Sequence, residues 1–125
     1  MNRKLTPQEL HNLAMNIVGK ELEKKGFEFL AVNSQLKKHP QFVCIDKNNQ
    51  QYFVIVKASQ ITEEPILYDV IWMETFKEHA RKQNSKVLFA GVGLGNPNDK
   101  LSPPYANDNY LLQYEGLQDL EIELN

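Results

Sequence analysis

The sequence predicts a single α/β domain, a mixed β-sheet with a central hairpin and a helix packed on each side. Three stretches of the 125-residue chain predict it. Residues 6–25 carry apolar side chains at helical spacing. Residues 39–59, HPQFVCIDKNNQQYFVIVKAS, read as two strands around a polar turn. A second helical pattern then leads to the apolar run Val87-Leu88-Phe89-Ala90, a further strand.

The first helix opens at Thr6-Pro7-Gln8-Glu9, where Thr6 caps, Pro7 suits the first helical position and Glu9 completes a capping box. Leu10, Leu13, Ala14, Ile17, Val18 and Leu22 form one apolar stripe. Lys24-Lys25-Gly26 closes the helix, with cations at the negative end of the dipole and a glycine for a left-handed exit. Phe27 to Val32 reads as the first strand, and Asn33-Ser34 begins a polar link.

In the hairpin, Phe42 to Ile45 is a short apolar run and Asp46-Lys47-Asn48-Asn49 supplies turn residues. Tyr52 to Val56 is apolar at both parities, which predicts a central strand covered on both faces. Lys57 ends that run on the face of Phe53 and Ile55, because side chains alternate.

After Ser59 to Glu64, Pro65 is expected to open the second helix, running to about Gln83 across the sheet, with Val70, Met73, Phe76 and Ala80 inward. Trp72 falls off that stripe and packs at an edge or faces a partner. Lys86 to Leu94 is the next strand. Its Gly91-Val92-Gly93-Leu94-Gly95 invites a nucleotide-binding reading, but loop residues Asn96-Pro97-Asn98-Asp99 follow where a helix is needed. A bulge or a close backbone approach is the better reading. Residues 95–109 form a loop with three prolines, of a length that suits mobility or function, and Tyr105 and Tyr110 offer it a contact surface. Tyr110 to Tyr114 reads as a last strand, and Leu117 to Leu124 as an edge strand or tail.

The hairpin resembles the catalytic hairpin of the restriction-endonuclease-like superfamily, the PD-(D/E)xK nucleases. Pro40-Gln41 stands where Pro-Asp would begin one strand, and Ile55-Val56-Lys57 stands where Glu-x-Lys would end the next. The resemblance extends by order of elements from the first helix to the strand after the second. It implies the restriction-endonuclease-like three-layer core over residues 1–125. It also implies a site at Gln41, Ile55 and Lys57. In such nucleases two carboxylates hold Mg²⁺, which activates a water and steadies the charge building on the phosphate. Gln41 offers a neutral amide and Ile55 offers no ligand. Asp46 does not replace them, having opposite parity to Gln41 and lying about 16 Å further along an extended strand. An acid on a neighbouring helix, Glu74 or Asp69, is the remaining source. The acid that such nucleases often carry on the first helix falls near Asn16, with Glu21 and Glu23 within a turn of it and better read as solvated charges.

A net charge of −2 and a pI near 5.9 argue against strong electrostatic binding to nucleic acid. Lys37, Lys38 and His39 are the one local candidate for a phosphate-facing edge, although a solvated turn is the better reading. His39 has no second histidine or carboxylate at metal-ligand spacing. Cys44, the only cysteine, excludes an intrachain disulfide and reads as a buried structural thiol. The N-terminus lacks an apolar leader and no apolar run is long enough to span a bilayer, so a cytoplasmic protein is expected.

These observations predict a catalytically inactive nuclease-like domain acting in binding or assembly, with no cofactor and no metal. One alternative is a metal-dependent nuclease using Mg²⁺ or Mn²⁺ with a relocated acid, Glu74. Another is a protein-interaction module that forms a homodimer or takes a protein partner.

Overall fold

A computed structural model describes residues 3–36, 38–61, 69–99 and 102–120. In chain order the elements are α1 (Pro7–Lys24), β1 (Glu28–Val32), β2 (Phe42–Ile45), β3 (Gln51–Gln60), α2 (Val70–Arg81), β4 (Ser85–Gly95), β5 (Leu111–Tyr114) and β6 (Gln118–Asp119). The strands form one open sheet in the order β1-β2-β3-β4-β5, with β6 also paired to β4. β3 and β4 run parallel and the other neighbours antiparallel, so the sheet is mixed.

The sequence signals for α1 hold at both ends. The Thr6 side chain accepts from the Glu9 N–H and the Glu9 carboxylate accepts from the Thr6 N–H, closing the capping box. Such a cap stabilises a helix by about 1 kcal/mol. Gly26 leaves the helix at φ 88°. The Phe27 N–H then reaches the Leu22 carbonyl at 3.0 Å. The buried stripe is wider than the sequence suggests, because His11 and Met15 join Ala14, Val18 and Leu22.

β3 is the central strand that its two-sided apolar run predicts. Val54 and Val56 pack with Ala14, Val18 and Leu22 on the α1 face. Phe53 and Ile55 pack with Met73 and Ala80 on the α2 face. β4 divides the same way, with Leu88, Ala90, Val92 and Leu94 toward α1, and Val87 and Phe89 toward α2. Each large apolar side chain so buried stabilises the fold by about 1.5–3 kcal/mol, which makes this four-residue alternation on β3 a major organising term. Cys44 is fully buried in the α1-side core, and that burial pushes its thiol up to about 11.

The hairpin turn spends Asp46. Its Oδ1 accepts from the Asn48 and Gln50 N–H groups at 2.8 and 2.9 Å, and Asn49 adopts φ 64°. Gly93 marks a close approach, since a Cβ there would lie 3.2 Å from Gln113 Cβ on β5.

Several boundaries differ from the sequence reading. β3 does not stop at Lys57 but continues to Gln60, because β4 offers pairing as far as Gln60↔Leu94. The expected helix start at Pro65 lies outside the described residues. Described α2 begins at Val70, with Asp69 as the cap accepting from the Trp72 N–H at 2.9 Å. It ends at Arg81 rather than Gln83, where Asn84 turns to φ 56°. Val70 is not inward but 64% exposed, and Lys77 is buried instead, its stem covering that face.

The segment after β4 is tied down. The Leu5 N–H bonds the Pro104 carbonyl at 2.9 Å and the Ala106 N–H bonds the Arg3 carbonyl at 2.7 Å, with Pro104 fully buried. Tyr105 is half-buried in a bridge to Lys4, so of the two tyrosines only Tyr110 lies exposed. Of the expected terminal strand, Gln118 and Asp119 pair with β4, while Ile122 and Leu124 lie outside the described residues.

Candidate functional site

β2 stops short of β3, and the site forms where it stops. The last β2–β3 pair on that side is Phe42↔Val54. The Val54 carbonyl accepts from the Gln41 N–H at 3.0 Å, so the main-chain groups of Val54 point toward β2. Alternation turns those of Val56 the same way, past the end of β2. A buried N–H there needs an acceptor. Gln41 supplies it: its Oε1 accepts from the Val56 N–H at 2.8 Å.

That bond fixes the rest of the amide. With Oε1 on a backbone donor, the Nε2 of Gln41 donates to the Lys38 carbonyl at 2.8 Å and lies 2.9 Å from His39 Nδ1. The Gln41 carbonyl accepts from the Asn33 N–H at 2.8 Å. Gln41 is 0% exposed with both side-chain donors and its oxygen engaged. His39 Nδ1 lies 2.9 Å from Gln41 Nε2 and 3.3 Å from Gln41 Oε1, so the amide holds the ring in place and the ring's tautomer sets which of the two it bonds.

Beyond the end of β2 lies a cleft of about 350 Å³. Pro7, Leu10 and His11 of α1 line one side, and Asp69, Trp72 and Met73 of α2 the other. Ile55 to Ala58 of β3, Phe89, Leu36 and His39 complete it. Trp72 stacks on Phe76, with ring centroids 5.2 Å apart and planes 16° apart, and meets the His39 ring edge-on at 4.9 Å. The cleft lies at the carboxyl half of a parallel strand, the usual location of ligand sites in open α/β sheets.

His11 is 3% exposed, and its Nε2 has no hydrogen-bond partner among the described residues. Burial pushes its pKa below the usual 6.5, and the charge of nearby His39 adds to the shift. An unsatisfied buried polar atom costs about 1–3 kcal/mol, so this imidazole is a cost of the cleft.

The sequence-predicted positions fall as follows. Gln41 is the buried clamp just described, and Ile55 is 3% exposed in the α2-side core. Lys57 is exposed and lines the cleft. Asp69 lines it too, one carboxylate oxygen capping α2. Glu74 does not: its side chain is 61% exposed and pairs with Lys77 at 3.4 Å. Lys37 lies outside the described residues. Lys38 is exposed, and its carbonyl serves Gln41. His39 reaches the cleft without joining a basic edge. Asn16 and Glu23 line a separate groove between α1 and β1, and Glu21 pairs with Lys25 at 3.5 Å.

A divalent metal of the nuclease type does not fit these side chains. Such an ion needs convergent oxygen acceptors. Here the amide is spent, Ile55 is apolar, and among the described residues no three His, Cys, Asp or Glu side chains converge.

The family described as a domain of unknown function, DUF8840, matches the chain over residues 8–120. The chain belongs to the DUF8840 family. No curated protein and no solved structure matches it. The DUF8840 match runs from the first turn of α1 to just past β6, and so takes in both helices, the whole sheet and every residue of the cleft from Leu10 onward.

Sequence reasoning missed His11 as a site residue, and passed over Trp72 except as an edge. His11 sits beside Leu10 in an apolar helical stripe, and nothing local marks it. A polar, titratable residue inside such a stripe is the one signal that was available.

Two outcomes follow for this DUF8840 domain. Replacing Gln41 with Leu strands the Val56 N–H and the Lys38 carbonyl. Denaturant melts should show a loss of about 2 kcal/mol or more, well above an ordinary surface change. An unchanged midpoint would mean that water replaces the amide. Because the folded pKa of His11 is depressed, the unfolded chain binds the extra proton first, and stability present above pH 6.5 is lost as pH falls below it. Glu9, held down to about 2 chiefly by its bond from Arg3, acts only below 4.5, in a separate window. Thermal melts across the higher window should decline less steeply in His11→Phe than in the parent; parallel slopes would remove His11 as the cause.

Proposed function

We propose that this chain is a non-catalytic domain of the restriction-endonuclease-like kind that acts in binding. The order helix, three antiparallel strands, helix and parallel strand supports the scaffold. The observation that carries the function is the saturation of Gln41. At the position where the resemblance expects a metal-binding carboxylate, the side chain is buried and committed to Val56, Lys38 and His39. At the second expected position, Ile55 belongs to the core. What is left facing outward is a cleft between the N-terminal ends of two helices, with an apolar interior and a few polar groups, which is the composition of a binding site.

The nuclease alternative requires an acid beside Lys57. Glu74 is turned away to Lys77, and Asp69 has one oxygen occupied by the helix cap. A second binding mode is supported by β1, an edge strand on which Leu30 and Val32 are 52% and 58% exposed. An apolar edge of that kind pairs readily with another strand, including that of a second copy.

Isothermal titration with Mn²⁺ should give no binding heat for the parent chain, and the chain should not cleave DNA or RNA with Mg²⁺ or Mn²⁺. Stoichiometric binding abolished in Glu74→Ala, with cleavage abolished in Lys57→Ala, would replace this reading with the nuclease one. For the edge, light scattering across a concentration series should show self-association that Leu30→Lys suppresses. A strict monomer at high concentration removes the second binding mode.

A further inference from the structure

We propose that the cleft carries an acid-sensitive joint: proton uptake by His11 releases the link around His39 from α1 and opens the cleft before the sheet unfolds. This device goes beyond the binding reading and holds whatever the cleft takes up.

The sensor is a buried imidazole with no place for a charge. His11 is 3% exposed, and its Nε2 has no hydrogen-bond partner among the described residues. An imidazolium carries an N–H on each nitrogen. A charged His11 would therefore hold a buried donor without an acceptor, and a buried charge as well. The charged and titratable groups that share its cleft are Lys57 on β3, Asp69 on α2 and His39 on the link. The charges of Lys57 and Asp69 cancel, and Asp69 already spends one oxygen on the Trp72 N–H. No other carboxylate lines the cleft among the described residues. Each proton that a histidine takes up there adds positive charge with nothing to offset it. Burial, and then the charge of His39, hold the His11 pKa below its ordinary 6.5. A form that gives His11 to water binds the proton more readily, so acid favours that form.

The part that gives way is the link, because the other walls are anchored in the core. Ala14, Val18 and Leu22 of α1 pack with Val54 and Val56, and Met73 and Ala80 of α2 pack with Phe53 and Ile55. In the link, Ser34, Gln35, Leu36, Lys38 and His39 are all exposed. Its tie to α1 is the Gln8 side chain. Gln8 Nε2 donates to the Ser34 carbonyl at 2.7 Å, and Gln8 Oε1 accepts from the Leu36 N–H at 3.3 Å. Further on, Gln41 holds Lys38 and His39, and the His39 ring rests edge-on against Trp72. A segment with few buried apolar contacts opens at lower cost than the whole fold. Leu36 and His39 share the cleft with His11, so their departure brings water to the imidazole. The same departure takes the Lys38 carbonyl and the His39 ring from Gln41, and so loosens its hold on the Val56 N–H.

The test is hydrogen exchange of the full chain, followed amide by amide by NMR from about pH 7.5 to pH 5 and expressed as protection factors. The Val56 N–H is the sentinel, and the β3–β4 ladder from Phe53↔Val87 to Ile55↔Phe89 is the reference. Below pH 6.5 the protection of Val56 should fall about tenfold per pH unit, the slope of one linked proton, while the reference falls less. His11→Phe should remove that slope. Gln8→Ala, which cuts the tie and leaves the sensor, should lower Val56 protection about tenfold at every pH and keep the slope. Flat Val56 protection in the parent would overturn the proposal, as would an equal fall in the reference, which marks global unfolding. A slope unchanged in His11→Phe would remove the sensor. If that variant does not fold, Gln8→Ala decides: an offset with the slope kept supports the joint, and no offset overturns it.

Discussion

The Gln41 side chain joins three parts of the fold that would otherwise separate at one point. β2 ends at Phe42 while β3 continues to Gln60, supported on its other side by β4. The Val56 N–H therefore points into the region where β2 has stopped. By accepting from it, Gln41 extends the β2 ladder with a side chain in place of a backbone carbonyl. The same residue receives the Asn33 N–H beyond β1 and holds the Lys38 carbonyl and the His39 ring. Buried polar networks specify a conformation when every member is satisfied. Here the satisfied member is the one that allows β3 to carry on alone, and that unaccompanied half of β3 forms the wall of the cleft.

The cleft's chemistry follows from the same bond. Because the Gln41 oxygen is committed to Val56, the amide nitrogen turns to the Lys38 carbonyl and the His39 ring, and it holds that ring at the edge of the cleft. Alternation along β3 sends Phe53 and Ile55 under α2 and leaves Lys57, next on that face, at the margin where α2 starts. The helix start itself is set by Asp69, which spends a carboxylate oxygen on the Trp72 N–H and so fixes the indole's place in the stack with Phe76. An apolar interior with polar groups around it is therefore a consequence of strand ends and helix caps, rather than of a single motif.

Much of this fold was legible in the sequence, and the legible parts share a local cause. The capping box and Gly26 announce α1, the Asp46 turn announces the hairpin, and the two-sided run from Phe53 to Val56 announces a central strand. What was not legible depends on contacts between distant residues. Lys57 looked like a strand end because the apolar run stops there, but β4 pairing carries the strand to Gln60. Residues 95–109 looked structureless because prolines and asparagines dominate them, yet Arg3 and Leu5 tie Ala106 and Pro104 from the far end of the chain. In the site, Gln41 and Lys57 were visible through the hairpin. His11 was not, because its place beside His39 in the cleft has no counterpart in sequence spacing.

An acid at position 41 would not simply replace Gln41. An amide has a donor and an acceptor, and this position uses both: the oxygen takes the Val56 N–H while the nitrogen gives to the Lys38 carbonyl. A carboxylate could keep the first bond. It would then set its second oxygen against the Lys38 carbonyl, acceptor against acceptor, in a place with no exposure to water. Aspartate, one methylene shorter, would also have less reach to the β3 backbone. The backbone at Asn33 and Lys38 is thus arranged around an amide, with the Lys38 carbonyl placed where a carboxylate would be repelled. The chemistry of the position is written into the backbone that surrounds it, so a carboxylate here would require that backbone to move.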